Sequence, residues 1–230
     1  MTSPYNPYQA PAFEPRETVE PGDFSISQSI SEAFEKTKQH FGVAVGSLLL
    51  GALLMLLAAI TVIGYFVAVP VLAWGLIKFY LDLQDDRPDL HSLFAGFSQY
   101  GKALGRTLLL TVIWIGMTLA SESLVFVGQA MESTPVILVG YVVYLAIFAL
   151  FLARLYFAYF FMVDRDMGAL ESLGAAWEVT RGKGLKCFAL VFVSGLIGAS
   201  GILGLCVGLL FTIPMSYAML TSAYRQLNPR

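Results

Sequence analysis

Hydrophobic positions along this chain fall into long apolar runs separated by short amphipathic stretches. A helix needs ~20 apolar residues to cross the hydrocarbon core of a bilayer. Residues 41–81 form an almost unbroken apolar run of about twice that length, with Lys78 as its one charge. The run predicts a hairpin of two spans turning near residues 61–64, where Gly64 relaxes the backbone. Residues 107–127 predict a third span, closed by Glu132, Ser133, Thr134 and Pro135, and residues 136–163 a fourth. Residues 185–224 are again of double length, with Gly201, Gly204 and Gly208 near the middle, and predict spans five and six.

The stretches between spans carry a helical period. Ile26, Ile30, Ala33, Phe34 and Phe41 make one stripe, with Ser29 and Glu32 as a capping box. Leu90, Leu93, Phe94 and Phe97 make a second, with Asp89 as N-cap, and Leu170, Leu173 and Trp177 a third, after Asp166. An apolar face with aromatics and flanking cations suits a helix lying in the membrane interface. Packing on the end of the bundle accounts for the same pattern.

Composition agrees with this reading. The chain is 57% hydrophobic and 13% charged, against roughly 45–50% and 25% in soluble domains, and its mean hydropathy is +0.71. The cations then orient the spans. Arg16, Lys36 and Lys38 precede span one, and Arg87, Lys102 and Arg106 lie between spans two and three. Arg165, Arg181, Lys183 and Lys186 lie between four and five, and Arg225 and Arg230 follow span six. None falls in the alternate loops near 61–64, 130–135 and 202–208. Lys/Arg excess marks the cytoplasmic side, so both termini are expected in the cytoplasm. Residues 1–22, with Pro4, Pro7, Pro11, Pro15 and Pro21, lack the apolar segment of a signal peptide and read as a disordered cytoplasmic tail. Residues 23–230 then form one all-α domain, a polytopic transmembrane helix bundle. The net charge of −2, without a dense basic run, gives no sign of nucleic-acid binding.

The chain also echoes itself. Residues 30–38 align with 173–181, and in the next register Gly64, Pro70, Tyr80 and Leu83 align with Gly208, Pro214, Tyr224 and Leu227. A fainter echo relates Ser29, Ile30, Phe34 and Gly42 to Ser92, Leu93, Phe97 and Gly105. The pattern suggests three units, each an amphipathic helix followed by a membrane hairpin, around an axis along the membrane normal. Glycine spacing at Gly42 and Gly46, at Gly204 and Gly208, and at Gly195 with Ala199 marks expected helix seams.

No catalytic or metal-binding constellation appears, and no cofactor is expected. His40 and His91 are far apart and interfacial, and Cys187 and Cys206 fit no disulfide or metal spacing. Lys78 can snorkel and pair with Asp82. Arg154 is the strongest functional candidate. It lies about nine residues inside the end of span four, roughly a dozen ångströms deep, and an arginine near mid-membrane costs ~2.5–3.5 kcal/mol on insertion scales. It is expected to turn into the bundle, toward carbonyls freed by Pro70 or Pro214 or toward a polar cavity. Those prolines interrupt spans two and six at matching places, a feature of transport sites and of ordinary kinks alike. Glu122, flanked by Ser121 and Ser123, belongs to the outer part of span three, too far along the span to pair with Arg154.

The segment Ala175-Ala176-Trp177-Glu178-Val179-Thr180-Arg181-Gly182, with the hairpin after it, Thr212-Ile213-Pro214 and Ala223-Tyr224-Arg225, resembles a bacterial membrane-protein superfamily. Its members include the membrane domain attached to some glycerophosphodiester phosphodiesterases and stand-alone relatives. Leu93-Phe94 and Gly96-Phe97 are similar to that family's first linking helix. The resemblance implies a six-helix membrane module over residues 25–227. The phosphodiesterase domain is not among these residues, so no catalytic residue carries over. The favoured function is therefore a non-catalytic module binding membrane lipids, a protein partner or a second copy of itself. The alternative is permeation of a small or lipid-like solute, resting on Arg154, Pro70 and Pro214. An intramembrane enzyme would need converging catalytic groups that the chain does not display.

Overall fold

A computed structural model describes residues 23–60, 62–204 and 207–228. All regular structure among them is helical. The proposed tail, Cys206 and Arg230 lie outside the described residues. Helix α1 (Ile26–Gln39) starts at Ser25, whose hydroxyl accepts the amide N–H of Gln28 at 3.4 Å. The capping box expected at Ser29 and Glu32 is therefore displaced. The helix begins one turn earlier, and both residues lie within it. The first hairpin is α2 (Phe41–Ala59) and α3 (Val62–Gln84). Gly64 lies inside α3, so the turn is tighter than expected.

After α3, Asp89 caps a 3-10 helix (Leu90–Phe94) by accepting the His91 amide at 2.9 Å. That helix runs into α4 (Ala95–Ser98). The second hairpin, α5 (Tyr100–Ala130) and α6 (Thr134–Asp164), has 31 residues in each arm and is longer than the sequence pattern suggests. Pro135 starts α6, where its missing N–H costs nothing. Helix α7 (Ala169–Val179) leads to α8 (Gly184–Ser200), a 3-10 turn Gly201–Gly204, and α9 (Leu209–Leu227).

Three segments are long and apolar enough to cross a membrane: Phe41–Ala59, Tyr100–Ala130 and Gly184–Gly204. They are the first arms of the three hairpins, and little of each is buried. Their outward residues, such as Leu53, Leu56, Leu119, Phe192 and Leu196, are exposed apolar side chains. The second arms differ. Helices α3, α6 and α9 meet one another and supply most of the core, including Val71, Phe79, Tyr80, Phe157, Phe161, Met162, Met219 and Tyr224.

The short segments pack in a cyclic order. The stretch 90–98 lies on α3, α7 lies on α6, and α1 lies on α9. Each first arm also touches the preceding second arm: α5 meets α3, α8 meets α6 and α2 meets α9. Burial follows matching positions. Ser29, Ala33 and Thr37 on α1 are fully buried, as are Ser172, Ala176 and Thr180 at and after α7. Tyr80 and Leu83 are buried like Tyr224 and Leu227, and Pro70 like Pro214. Apart from Leu93 and Val179, the buried faces of the short helices are small residues, while the aromatics of the expected stripes, Phe34, Phe94, Phe97 and Trp177, remain half exposed.

Of the glycines singled out by spacing, Gly208 makes a close approach, where a Cβ would stand 2.7 Å from the Gly201 carbonyl oxygen, while Gly204 has open space. A Cβ on Gly42 or Gly195 would meet nothing within 4 Å, and one on Gly46 only the Leu90 side chain at 3.8 Å. By contrast, a Cβ on Gly75 would stand 1.9 Å from the Leu93 carbonyl oxygen, and one on Gly96 2.1 Å from that of Val71. These two glycines let the stretch 90–98 press backbone to backbone on α3. Gly128 against Ile137 and Gly140 against Val125 do the same inside the second hairpin.

Candidate functional site

Arg154 turns inward and is 8% exposed. Its guanidinium carbon lies 4.1 Å from the centroid of the Trp177 ring on α7, and Cys187 on α8 is a close electrostatic neighbour. The arginine therefore occupies the seam of α6, α7 and α8, under a half-exposed indole. The expectation of a buried arginine holds in this geometry, but its direction differs: it meets an aromatic ring of the short helix. A desolvated cation–π contact contributes about 2 kcal/mol, which offsets part of the cost of burying the guanidinium. The short helix α7 thus brings an aromatic face to a largely buried charge.

The other candidates lie elsewhere. The contacts of Gly128 with Ile137 and of Gly140 with Val125 set the register of the second hairpin. In that register Glu122 stands opposite Val143 and Arg154 opposite Thr111, about 16 Å apart along the helices at 1.5 Å per residue. Glu122 is exposed and lines a hollow of about 330 Å³ with Val125, Phe126, Gln129, Tyr141 and Tyr144. Pro70 and Pro214 are buried within α3 and α9. Around Pro214 the two arms of the third hairpin are joined by hydroxyls. Thr212 Oγ1 donates to the Gly198 carbonyl at 3.0 Å, and Ser194 Oγ to that of Ser216 at 3.0 Å.

The most heavily bonded polar cluster is one that the sequence pattern does not single out. Arg225, near the end of α9, donates twice to Asp85, at 2.9 and 2.8 Å, and once to Asp164 at 2.7 Å. Asp164 also accepts from the Tyr224 hydroxyl at 3.0 Å, and Asn228 donates to that hydroxyl at 3.1 Å. The Asp164 side chain is 4% exposed. One guanidinium thereby ties together the ends of α3, α6 and α9. Glu32 extends the layer to α1, accepting from Ser222 at 2.6 Å and Gln84 at 3.2 Å. In sequence Arg225 reads as an orienting cation and as part of the Ala223-Tyr224-Arg225 resemblance, with no partner indicated. The available signal was an aspartate at the matching end of two other second arms.

Further pairs sit at the same end of the bundle. Asp86, just beyond α3, is held by Lys36 and His40. Asp166, just beyond α6, is held by Lys102 and Arg106, each at 2.6 Å. Both aspartates have positive φ, 58° and 52°. The lysine hydrogen bonds, from Lys36 and Lys102 respectively, are the main cause holding both carboxyls below the usual aspartate range. Lys78 pairs with Asp82 as its spacing predicts, and Ser92 donates to the same carboxylate at 2.6 Å. Among the described residues, no group of three or more His, Cys, Asp or Glu could hold a metal ion. Comparison with family models, with curated proteins and with solved structures returned no match.

Proposed function

We propose that this chain is a six-span membrane protein of the bacterial inner membrane, made of three repeated units, that acts as a non-catalytic module binding lipids or a partner. The six-span reading is supported by three apolar first arms, each followed by a turn and a second long helix. The cyclic packing of the short segments on α9, α3 and α6 supports the three-unit reading and an axis along the membrane normal. The ion pairs at one end of the bundle coincide with the cation-bearing loops, which supports a cytoplasmic assignment for that end. The resemblance to phosphodiesterase-linked membrane domains is compatible with such a module.

The observation that carries the functional reading is the closed cytoplasmic half of the bundle. Tyr80 stacks on Tyr217 at 5.1 Å, and Phe160 and Phe161 flank Tyr224 at 5.3 and 5.1 Å, directly beneath the Arg225 cluster. This aromatic layer packs α3, α6 and α9 together at that end, and Arg154 is covered by Trp177. Lipid, protein partner or a second copy would then bind on the outer faces. Reconstitution tests this. Proteoliposomes should retain small ions and glycerol-sized solutes as well as protein-free vesicles do, and protein purified from native membranes should carry bound lipid. Protein-dependent solute release that Arg154→Leu abolishes would establish the permeation reading instead.

A further inference from the structure

Charge is spread unevenly over the three hairpins. Residues 41–77 and 187–224 carry none. Residues 107–153 carry two carboxylates, Glu122 and Glu132, and no Lys, Arg or His. Glu122 is exposed among exposed apolar neighbours, Leu119, Leu124 and Phe126. Among the described residues, no hydrogen bond or ion pair reaches its carboxylate. The hollow that it lines is about 330 Å³, and the other walls are Val125, Phe126, Gln129, Tyr141 and Tyr144. Glu122 stands opposite Val143, so both tyrosines lie within about 3 Å of its level at 1.5 Å per residue. Phe126 and Gln129 follow Glu122 one and two turns further along the same face of α5.

The walls are fixed from behind. A Cβ on Gly140 would stand 2.8 Å from the Val125 side chain, so α5 and α6 meet directly at one wall. The Tyr144 ring stacks on Phe148 at 6.1 Å, and Phe148 meets Trp114 at 5.8 Å. A single carboxylate among aromatic rings does not suit a metal ion, since hard cations demand a shell of oxygen ligands. It does suit an organic cation, because ring faces attract ammonium groups, most strongly where water is excluded. A concave, mostly apolar site with a few placed polar groups is the usual form of a small-ligand pocket. We propose that the hollow binds an organic ammonium ion, with Glu122 as its counter-charge and Phe126, Tyr141 and Tyr144 as its aromatic surround. Gln129 and the tyrosine hydroxyls are free to meet polar substituents of the ligand. Such a site is additional to lipid or partner binding on the outer faces and does not require it.

The test is a ligand-observed NMR titration of the full chain, held in a maltoside detergent, with tetramethylammonium as the probe. Binding should be saturable above that of empty micelles. Glu122→Gln should weaken it about tenfold, and Tyr141→Leu about threefold. Tyr141→Phe keeps the ring face and should bind as the parent chain does. Glu122 and Tyr141 are both exposed, so neither substitution empties the core. Glu132→Gln removes the exposed carboxylate outside the hollow and should leave binding unchanged. Potassium ion and tert-butanol, a neutral molecule of similar size, should not displace the probe at matched concentration. An equal loss in Glu132→Gln would show diffuse attraction to a negative surface and overturn the site. Undiminished binding in Glu122→Gln, or displacement by tert-butanol, would mean apolar adsorption and overturn it as well. Displacement by potassium would overturn the organic-cation assignment. None of these failures touches the lipid-or-partner reading, because the titration contains neither bilayer nor partner.

Discussion

Arg225 shows how much one residue can hold. Its side chain is 11% exposed, and its two carboxylates belong to different helices. Removing one partner of a buried ion pair costs ~3–5 kcal/mol, because the charges left behind keep their desolvation penalty. Arg225→Leu should therefore lower the unfolding midpoint of detergent-solubilised protein far more than Arg181→Leu, whose residue is exposed. Arg225→Lys should fall between them, since it keeps the charge and loses the two-pronged geometry. At Asp86 and Asp166 the argument concerns pH. Their carboxyls are held below the usual range, so their stabilising contribution is complete above the unfolded value of ~3.9 and is lost as pH falls through the folded value. Thermal midpoints should drop on acidification below about pH 4, and the Asp86→Asn, Asp166→Asn double variant should show a smaller part of that drop. Neither role is visible in sequence, because Asp85 and Arg225 are 140 residues apart and Asp164 and Arg225 are 61 apart. Arg154 was legible as an anomaly, a charge inside an apolar run. Its partner Trp177 was not, because it lies on a separate short helix.

At the scale of elements, the hairpins were readable because long apolar runs, broken near the middle by glycine or polar residues, mark two arms and a turn. Their boundaries were less so. Residues 100–106 are too polar to count as span, yet α5 begins at Tyr100 and places Lys102 and Arg106 on Asp166. The segment read as a second interfacial helix is a 3-10 helix and one short turn, pressed on α3 through Gly75 and Gly96. Spacing alone directs attention to Gly42 and Gly46, because it counts intervals and cannot register where backbones touch. Substitution separates the two cases. Gly75→Ala introduces a methyl group against a carbonyl and should cost at least ~1–3 kcal/mol, the range for overpacking. Gly42→Ala meets open space and should be neutral or slightly stabilising, given the preference of helices for alanine. Thermal unfolding of the two variants in one detergent would check the contrast; equal losses would mean that the α3 seam is looser than described.

For the whole molecule, the account rests on three units closing a ring around α3, α6 and α9, with the charged layer at one end. Helix α1 completes the ring by packing on α9, the last helix of the chain, through Ser25 with Gln226 at 2.8 Å and Phe34 with Phe211 at 5.7 Å. The orientation came from cations in the sequence, and the ion pairs gather at that same end. The 31-residue arms of α5 and α6 reach about 46 Å at 1.5 Å per residue, beyond the ~30 Å hydrocarbon core. On the six-span reading proposed above, the second hairpin tilts or extends past the bilayer. The central claim is the number and direction of the spans, and topology mapping addresses it directly. Reporter domains inserted at the turns near residues 60, 132 and 206, and others near 88, 167 and after 230, read out the compartment of each loop in living cells. The account predicts that the first three report the far side of the membrane and the second three the cytoplasm. A shared compartment for any turn and the loop that follows it would remove a span and contradict the six-span ring.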